Sequence, residues 1–392
     1  MTRVHIAGAV RTPIGKFGGS LAGWTAADMG VAVVTEALSR SKVAPDRIAE
    51  LIFGCGRQAG GGPNVARQVS VRSGIPESSP AYTVNQACAS GLKSVILGTQ
   101  ELLLGRATAI VVGGTESMSR VPYFVEGARW GARLGNQTLT DGMYQDGFMC
   151  PLAKQLMGET AETLATEYGI PREEQDAYAA ESQRRAVAAE AAGHFTAERM
   201  TLTLKDRKGN AVEFASDEHV RPDADMAAMA KLPPVFSKTG TVTAGNASGI
   251  TDGAAAMVLL TDEALEAAGA ESLGRVVDYE IAGVDPARMG IGPVPATRRL
   301  LERRGLTMSD IDVVELNEAF AAQVLACDRD LAFDRERLNP NGGSIALGHP
   351  IGCTGARILT TLVHELARRD GRYGLATLCV SGGMGVTLLV ER

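Results

Sequence analysis

The chain has 392 residues, of which 45% are hydrophobic, 21% charged and 5% aromatic, a composition that sustains large cores and excludes a disordered or fibrous chain. A formal net charge of −6, with no basic tract, argues against a nucleic-acid partner. No apolar stretch approaches the length of a membrane span, so no membrane partner is expected.

The six cysteines are scattered and form no C-x-x-C pair. Neither a zinc ribbon nor a disulfide scaffold is expected, and free thiols in the cytoplasm are the natural reading. The histidines are dispersed and the acids lack ligand spacing, so no metal site is expected.

The opening "RVHIAGAV" reads as a first strand rather than a signal peptide. Further strands are expected at "ELIFGC", "AYTVN", "ATAIVVGG", "AAMVLL", "VVEL", "ATLCV" and "GVTLLVE". Between Ala89 and Gly105, Leu92, Val95, Ile96, Thr99, Leu102 and Leu103 recur at spacings of three and four. Ile358, Leu359, Leu362, Val363 and Leu366 do the same, and each set predicts a helix with one buried face. Strands alternating with amphipathic helices make an α/β protein.

The region from Ser117 to Gly249 differs in texture. It is rich in Met, Asp, Pro and charge, with "RKGN" expected as a hairpin turn, "KLPPVF" as an extended passage and a polar helix within 172–193. At that length it is expected to be an inserted domain, 118–249. The N-terminal half would then be 1–117, completed by about 250–270, and the C-terminal half 271–392. The halves also look alike. "TVNQACASG" (83–91) reads like "ELNEAFAAQ" (315–323), and "ATAIVVGGTE" (107–116) like "LATLCVSGGMG" (375–385). The matching order of both pairs points to duplication.

Cys88 stands at the start of a helix, where unsatisfied N–H groups favour a thiolate. A buried small side chain is an equal reading of that segment alone. Cys379 ends a strand and runs into "SGGMG", whose amides can turn toward a ligand, although a core cysteine at a strand end is the commoner case. His349 lies in "GHPIG", where Pro350 fixes one dihedral and the glycines allow other segments close. His5, His194, His219 and His364 have no such setting and read as structural. Asn317 follows a strand in "ELNEAF", in the place Asn85 holds in the first half. It can hold a water or an oxyanion, or simply cap the next helix. The glycine-rich "GCGRQAGGGP" does not fit a dinucleotide-binding loop.

Taken together, "VNQACASGLKS", "NEAF", "GGSIALGHPIGCTGAR" and "LCVSGGMG" resemble the signature blocks of the thiolases, and "RTPIGKFGGSL" and "TAGNASGITDGAAA" match that family too. The resemblance spans nearly the whole chain in order and spacing. It implies a five-layered αβαβα core of two duplicated halves with an inserted loop domain that binds coenzyme A, and a homotetramer. It also implies acyl transfer to and from coenzyme A, which with acyl-CoA serves as substrate, with no separate cofactor. Under it, Cys88 is the acyl-accepting nucleophile and His349 activates it. Cys379 handles the α-proton of the second acyl-CoA, and Asn317 holds a water in one oxyanion hole. The amides of Cys88 and Ser381 form the other hole. Met157, Phe236, Ala244, Gly245, Ser248, Met289, Ala319 and Phe320 fall on substrate-lining positions, and Arg221 on a contact to the nucleotide end. Leu156 and Ser381 depart from the family, which often has histidine and glycine there, so the acyl length stays open.

The chemistry needs this residue set. A thiolate accepts an acyl group from a thioester, and carbon–carbon bond formation then needs a base and preorganised donors for an enolate. Two other readings are a decarboxylating ketosynthase and a non-catalytic acyl-CoA carrier. The second cysteine argues against the first, and the intact set of Cys88, Asn317, His349 and Cys379 against the second.

Overall fold

The computed structural model describes residues 2–206 and 208–392. In the first half, β1 (Val4–Arg11), β2 (Glu50–Gly54), β3 (Ala81–Val84), β4 (Ala109–Ser117) and β5 (Thr251–Thr261) lie side by side in the order β3-β2-β4-β5-β1. β2 is parallel to β3 and β4, and β5 is antiparallel to β4 and β1. In the second half, β6 (Gly274–Gly283), β7 (Val313–Leu316), β8 (Tyr373–Val380) and β9 (Met384–Glu391) run β7-β8-β9-β6. There β7 and β8 are parallel and the other pairs antiparallel. A parallel bridge from Val314 to Leu338 stands where β3 stands in the first half.

The duplication expected from the sequence is therefore present, but one of its two segment pairs was matched wrongly. β4 and β8 do occupy equivalent places. β7, however, is the counterpart of β2 and not of β3, so Asn317 is not the counterpart of Asn85. Both asparagines follow a strand and precede a helix, which is all that a short stretch of sequence records. Cross-strand register separates them. By the same topology the counterpart of Cys88 is His349, since each stands just ahead of the helix that feeds β4 or β8.

The helices α1 (Ala26–Ser41), α2 (Val65–Arg72), α3 (Ser90–Leu103), α4 (Met157–Glu167), α5 (Arg172–Ala191), α6 (Pro293–Arg304), α7 (Ala321–Leu331) and α8 (Ile351–Arg369) cover the strands. The strand period of two sorts side chains into layers. Val112 and Leu259 face inward with Leu92, Val95 and Ile96 of α3 and Ile358, Leu359 and Leu362 of α8, and Leu378 and Leu388 of the second half join them. Their neighbours Val111 and Val258 face outward onto Met29, Val33 and Val34 of α1 and Val69 of α2. Leu375 and Leu389 face outward onto Leu300 and Leu301 of α6 and Val324 and Leu325 of α7. The result is helix, sheet, helix, sheet, helix. Strands buried on both faces read as unbroken apolar runs, and every residue of β4 and β5 is buried. Val4–Ile6 also pair with Gly274–Val276, so among the described residues the two halves, with the short strand Gly15–Lys16 paired to β5, form one ten-stranded sheet folded around α3 and α8.

Two helix expectations need correction. Leu103 is 55% exposed rather than part of the buried face of α3. α8 is buried almost all round, with Thr354, Arg357, Thr360, Thr361 and Glu365 inside along with its leucines. A helix in the central layer has no solvent face, so its polar residues must find partners within the protein.

Between β4 and β5 the chain leaves the sheet. Strands Leu202–Lys205 and Ala211–Phe214 form the expected hairpin around "RKGN", of which Arg207 lies outside the described residues. The polar helix α5 buries Gln175, Asp176, Ser182 and Gln183. These side chains hold loops: Ser182 donates to Glu318 (2.7 Å), Asn246 donates to Asp176 (2.9 Å), and the Arg221 N–H donates to Gln183 (2.8 Å).

Candidate active site

Cys88 is presented by a strained turn. Ala87 has φ +45°, a region costly for a residue with a Cβ and tolerated mostly where function over-determines the backbone. Asn85 supports the turn by accepting from the Ala87 N–H (3.0 Å) and donating to Gly56 O (3.2 Å). Ser90 ties it further, accepting from Gln86 N–H and donating to Ala87 O. A 3-10 turn, Ala87–Ala89, then leads into α3. The backbone N–H groups of Ser381 and of Cys88 itself favour the Cys88 thiolate. Burial raises the Cys88 thiol pKa, and the charge of Arg57 opposes that rise.

His349 stands at the N-terminus of α8, directly before its cap Pro350. Its N–H donates to Gly249 O (3.0 Å). Its Nδ1 lies 2.6 Å from Thr354 Oγ1, and that hydroxyl donates to Pro350 O at 3.0 Å. A hydroxyl has one hydrogen, so Thr354 must accept from Nδ1–H, which leaves Nε2 as the bare nitrogen. Burial pushes the His349 pKa down to about 3, and the charges of Arg357 and Arg57 add to this. The ring is neutral at pH 7 and offers a lone pair.

Asn317 lies fully buried behind the ring. Its Nδ2 approaches His349 Nε2 at 3.5 Å, while its Oδ1 accepts from Ser344 Oγ (2.6 Å), which in turn accepts from Arg357 (2.9 Å). The side-chain amide is thereby fixed with its NH2 toward the histidine.

Two glycines of the "GHPIGCTGAR" block set the distance between the two central helices. A Cβ on Gly352 would lie 2.7 Å from Cys55 Cα and 2.8 Å from Thr115 O. One on Gly355 would collide with the backbone of Leu92 on α3. These bare positions let the start of α8 seat against β2, β4 and α3, and so bring His349 beside Cys88.

Cys88, His349, Cys379 and Ser381 line one cavity of about 480 Å³. Cys379 ends β8, packed among Met289, Ala319 and Phe320, and burial together with the neighbouring Cys88 holds its thiol pKa well up. The cavity wall includes Met157, Phe236, Ala244, Ser248, Met289, Ala319, Phe320 and Arg221, and Leu156 beside Met157. Phe236 and Phe320 meet edge to face with centroids 6.2 Å apart. The "TAGNASG" segment is laced to "NEAF" by Ser248 N–H to Ala319 O (2.9 Å) and Ala321 N–H to Asn246 O (2.8 Å). Gly245 does not line this cavity. It faces an adjoining one with Met229 and Leu232, because its neighbours Thr243 and Asn246 turn the backbone there. Asn317 supports the cavity from behind without lining it.

The sequence reading passed over some wall residues. His219, read as structural, lines the cavity while its Nδ1 engages Ala346 O (3.0 Å). Arg57 and Phe148 line it as well. The glycine-rich setting of Arg57 was weighed only as a dinucleotide loop, and a basic residue among so many glycines was the signal available. The remaining histidines do not line this cavity: His5 engages Asp262 and Ser272, His194 Asn341, and His364 Ala9 O. Cys55, Cys150, Cys327 and Cys353 are buried and unpaired with one another. Among the described residues no cluster of potential metal ligands occurs, and no helix is long and apolar enough to cross a membrane.

The family models for the N-terminal and C-terminal domains of thiolase match residues 4–263 and 270–392. The chain belongs to the thiolase family. An acetyl-CoA acetyltransferase of Escherichia coli strain K12 is 50% identical over 393 aligned residues, covering all of both chains. The crystal structure of the Bacillus anthracis acetyl-CoA acetyltransferase superposes with a TM-score of 0.97 at 43% identity, covering 100% of this chain and 99% of that one. Human mitochondrial 3-ketoacyl-CoA thiolase in complex with CoA gives 0.96 at 42% identity, covering 100% and 98%. The αβαβα thiolase fold and the acyltransferase class implied by the motifs both hold.

Proposed function

We propose that this thiolase interconverts two acyl-CoAs with a 3-oxoacyl-CoA and free CoA, through an acyl group carried on Cys88. The observation that carries the reading is the shared cavity of Cys88, His349 and Cys379, whose wall Ser381 joins. In the cleavage direction the Cys88 proton passes to His349 Nε2 and the sulfur attacks the 3-oxo carbon. The bond between C2 and C3 breaks, its electron pair moves onto the thioester as an enolate, and the Cys379 thiol protonates C2. Acyl-CoA with a new methyl or methylene end leaves. The CoA thiol then gives its proton to the Cys379 thiolate and attacks the acyl-cysteine, and Cys88 leaves as a thiolate that takes back the proton held on His349. Condensation is the reverse.

In this reading the Cys88 and Ser381 amides stabilise the oxyanion formed at the acyl carbon. His349 Nε2, with a water held by Asn317, serves the enolate oxygen. Such preorganised donors are typically worth about a hundredfold or more in rate each. Met157, Phe236, Ser248, Met289, Ala319 and Phe320 receive the acyl and pantetheine portions, Ala244 and Gly245 shape the approach, and Arg221 meets the nucleotide end. We further propose that residues 118–249 form the coenzyme A-binding insertion between 1–117, completed by about 250–270, and 271–392, and that the protein is a cytoplasmic homotetramer in fatty acyl-CoA metabolism. The second thiol favours this reading over a decarboxylating ketosynthase.

Mixing the protein with acetoacetyl-CoA and CoA tests it. The substrate's enolate absorbance should fall with wild type and not with Cys88→Ser. Peptide mass analysis after rapid quenching should find the acyl group on Cys88 alone. An acyl group on Cys379, or turnover by Cys88→Ser, sinks the assignment.

A further inference from the structure

Arg57 lines the catalytic cavity on the wall that holds Cys88, Phe148 and Ile351. Its side chain is only 9% exposed, and its Nε is buried with no hydrogen-bond partner. Among the described residues the guanidinium forms no ion pair. Glu116, whose charge it feels, is already engaged: its oxygens accept from the N–H groups of Gly56 (2.9 Å), Arg57 (2.9 Å) and Gly352 (2.8 Å), with Cys55 Sγ at 3.5 Å. Gly147 presses its bare backbone on the guanidinium, where a Cβ would collide, so the group is confined rather than free to swing into solvent.

An isolated buried cation is costly unless something pairs with it. Arg57 borders a cavity whose wall is mostly apolar and whose other basic residues are Lys16, His219, Arg221 and the neutral His349. Arg221, which also lines two further pockets that Arg57 does not border, is the better placed of the two for the phosphates of coenzyme A. The charge of Arg57 instead reaches Cys88 and His349, so it lies near the acyl group that Cys88 would carry.

We propose that Arg57 is the anion-recognising end of the acyl subsite, and that the acyl groups this enzyme handles include ones bearing a terminal carboxylate. The inference rests on the thiolase reading above. It deepens that reading by naming a substrate class: ω-carboxyacyl-CoA and the matching 3-oxo-dicarboxylyl-CoA. A guanidinium takes a carboxylate in two parallel hydrogen bonds, and a methyl end of equal length leaves the cation unpaired.

The test compares pairs of equal carbon-chain length. Wild-type enzyme is incubated with succinyl-CoA or butyryl-CoA and the rate of Cys88 acylation is read by intact mass. The thiolytic kcat/KM is then measured for 3-oxoadipyl-CoA and 3-oxohexanoyl-CoA. The carboxylated partner should react faster in both assays. Arg57→Met should lower the carboxylate-to-methyl ratio at least tenfold, and Arg57→Lys should keep part of it. A ratio unchanged in Arg57→Met, a parallel fall for both partners, or slower acylation of wild type by succinyl-CoA than by butyryl-CoA overturns the proposal. The acylation comparison needs no variant, so a misfolded Arg57→Met leaves the test intact. Failure of the thiolase reading shows separately, as no cleavage of acetoacetyl-CoA by wild type.

Discussion

Thr354, in the first turn of α8, reaches back to His349 ahead of the helix cap, and the threonine hydroxyl holds the imidazole by its Nδ1 at 2.6 Å. Because that hydroxyl spends its hydrogen on Pro350 O, it selects the tautomer with Nε2 unprotonated. Thr354→Val removes the acceptor while keeping the shape, leaving Nδ1–H unpaired and the ring free to turn over. kcat for acetoacetyl-CoA cleavage should fall about tenfold to a hundredfold, a fraction of what general-base catalysis contributes, with KM little changed. Thr354→Ser should recover most of the rate. Equal loss in both variants would mean that the methyl group, not the hydroxyl, matters.

The pH behaviour follows from burial. The His349 pKa is pushed down to about 3, and burial raises the Cys88 thiol above its ordinary value. Both shifts favour the neutral thiol–imidazole pair over a preformed thiolate–imidazolium pair. Iodoacetamide alkylation of Cys88, followed by peptide mass, should therefore keep rising with pH beyond 8 and show no plateau starting near 6.5. The sign for stability runs the same way. Below an ordinary histidine pKa of about 6.5 the unfolded chain binds a proton that folded His349 refuses. Its contribution is full above pH 6.5 and is lost progressively as the pH falls toward 3. Urea midpoints at pH 5 and 7 should differ less in His349→Asn than in wild type.

Gly352→Ala separates two opposing effects. On an exposed helix, replacing glycine by alanine stabilises by roughly 1 kcal/mol. Here the new Cβ would meet Cys55 Cα and Gly56 N at 2.7 Å, backbone atoms that cannot swing aside. The start of α8 must move away from β2, carrying His349 with it. The expected outcome is a loss of roughly 1–3 kcal/mol by denaturant titration, as for other overpacked cores, and a fall in kcat as well. A more stable variant with normal turnover would show that the close approach is not needed.

How much of this was legible before the structure depends on how local each signal is. Cys88, His349 and Cys379 sit in contiguous blocks whose neighbours, a strained turn, a proline cap and a glycine run, are part of the same stretch of sequence. β6 was missed because it is only half-buried along most of its length, and Asp278 and Glu280 on it pair with Arg303 of α6. A half-buried strand dressed in charge carries no apolar run. Arg57 and His219 were missed because their place in the cavity wall depends on what faces them, and Phe148 and Gly249 come from distant parts of the chain. The pairing of Asn85 with Asn317 failed for the converse reason: a local likeness that only sheet register contradicts.

Arg11 is fully buried between Asp217 and Glu198, bonded to Asp217 at 2.8 and 3.0 Å and to Glu198 at 2.6 Å, while Arg199 reaches the same Asp217 at 3.0 Å. The group ties β1 to the region between β4 and β5, because Asp217 also accepts from the Ile14 N–H (2.8 Å). Removing one partner of a buried pair leaves the other charged and unsolvated, at a cost of about 3–5 kcal/mol. Asp217→Asn should therefore lower the denaturant midpoint far more than Asp370→Asn, whose partner Arg392 is partly exposed and whose own side chain is almost wholly so, a pair worth roughly 0–1 kcal/mol. Although burial alone would raise it, Arg11 and then Arg199 hold the Asp217 pKa below the ordinary carboxylate value. Its contribution is thus present above about pH 4 and lost as the pH falls through the folded value. The gap in midpoint between wild type and Asp217→Asn should be wide at pH 7 and should narrow in acid below pH 4. A gap that stays constant, or widens on acidification, would mean that Asp217 is not the ionised partner of Arg11.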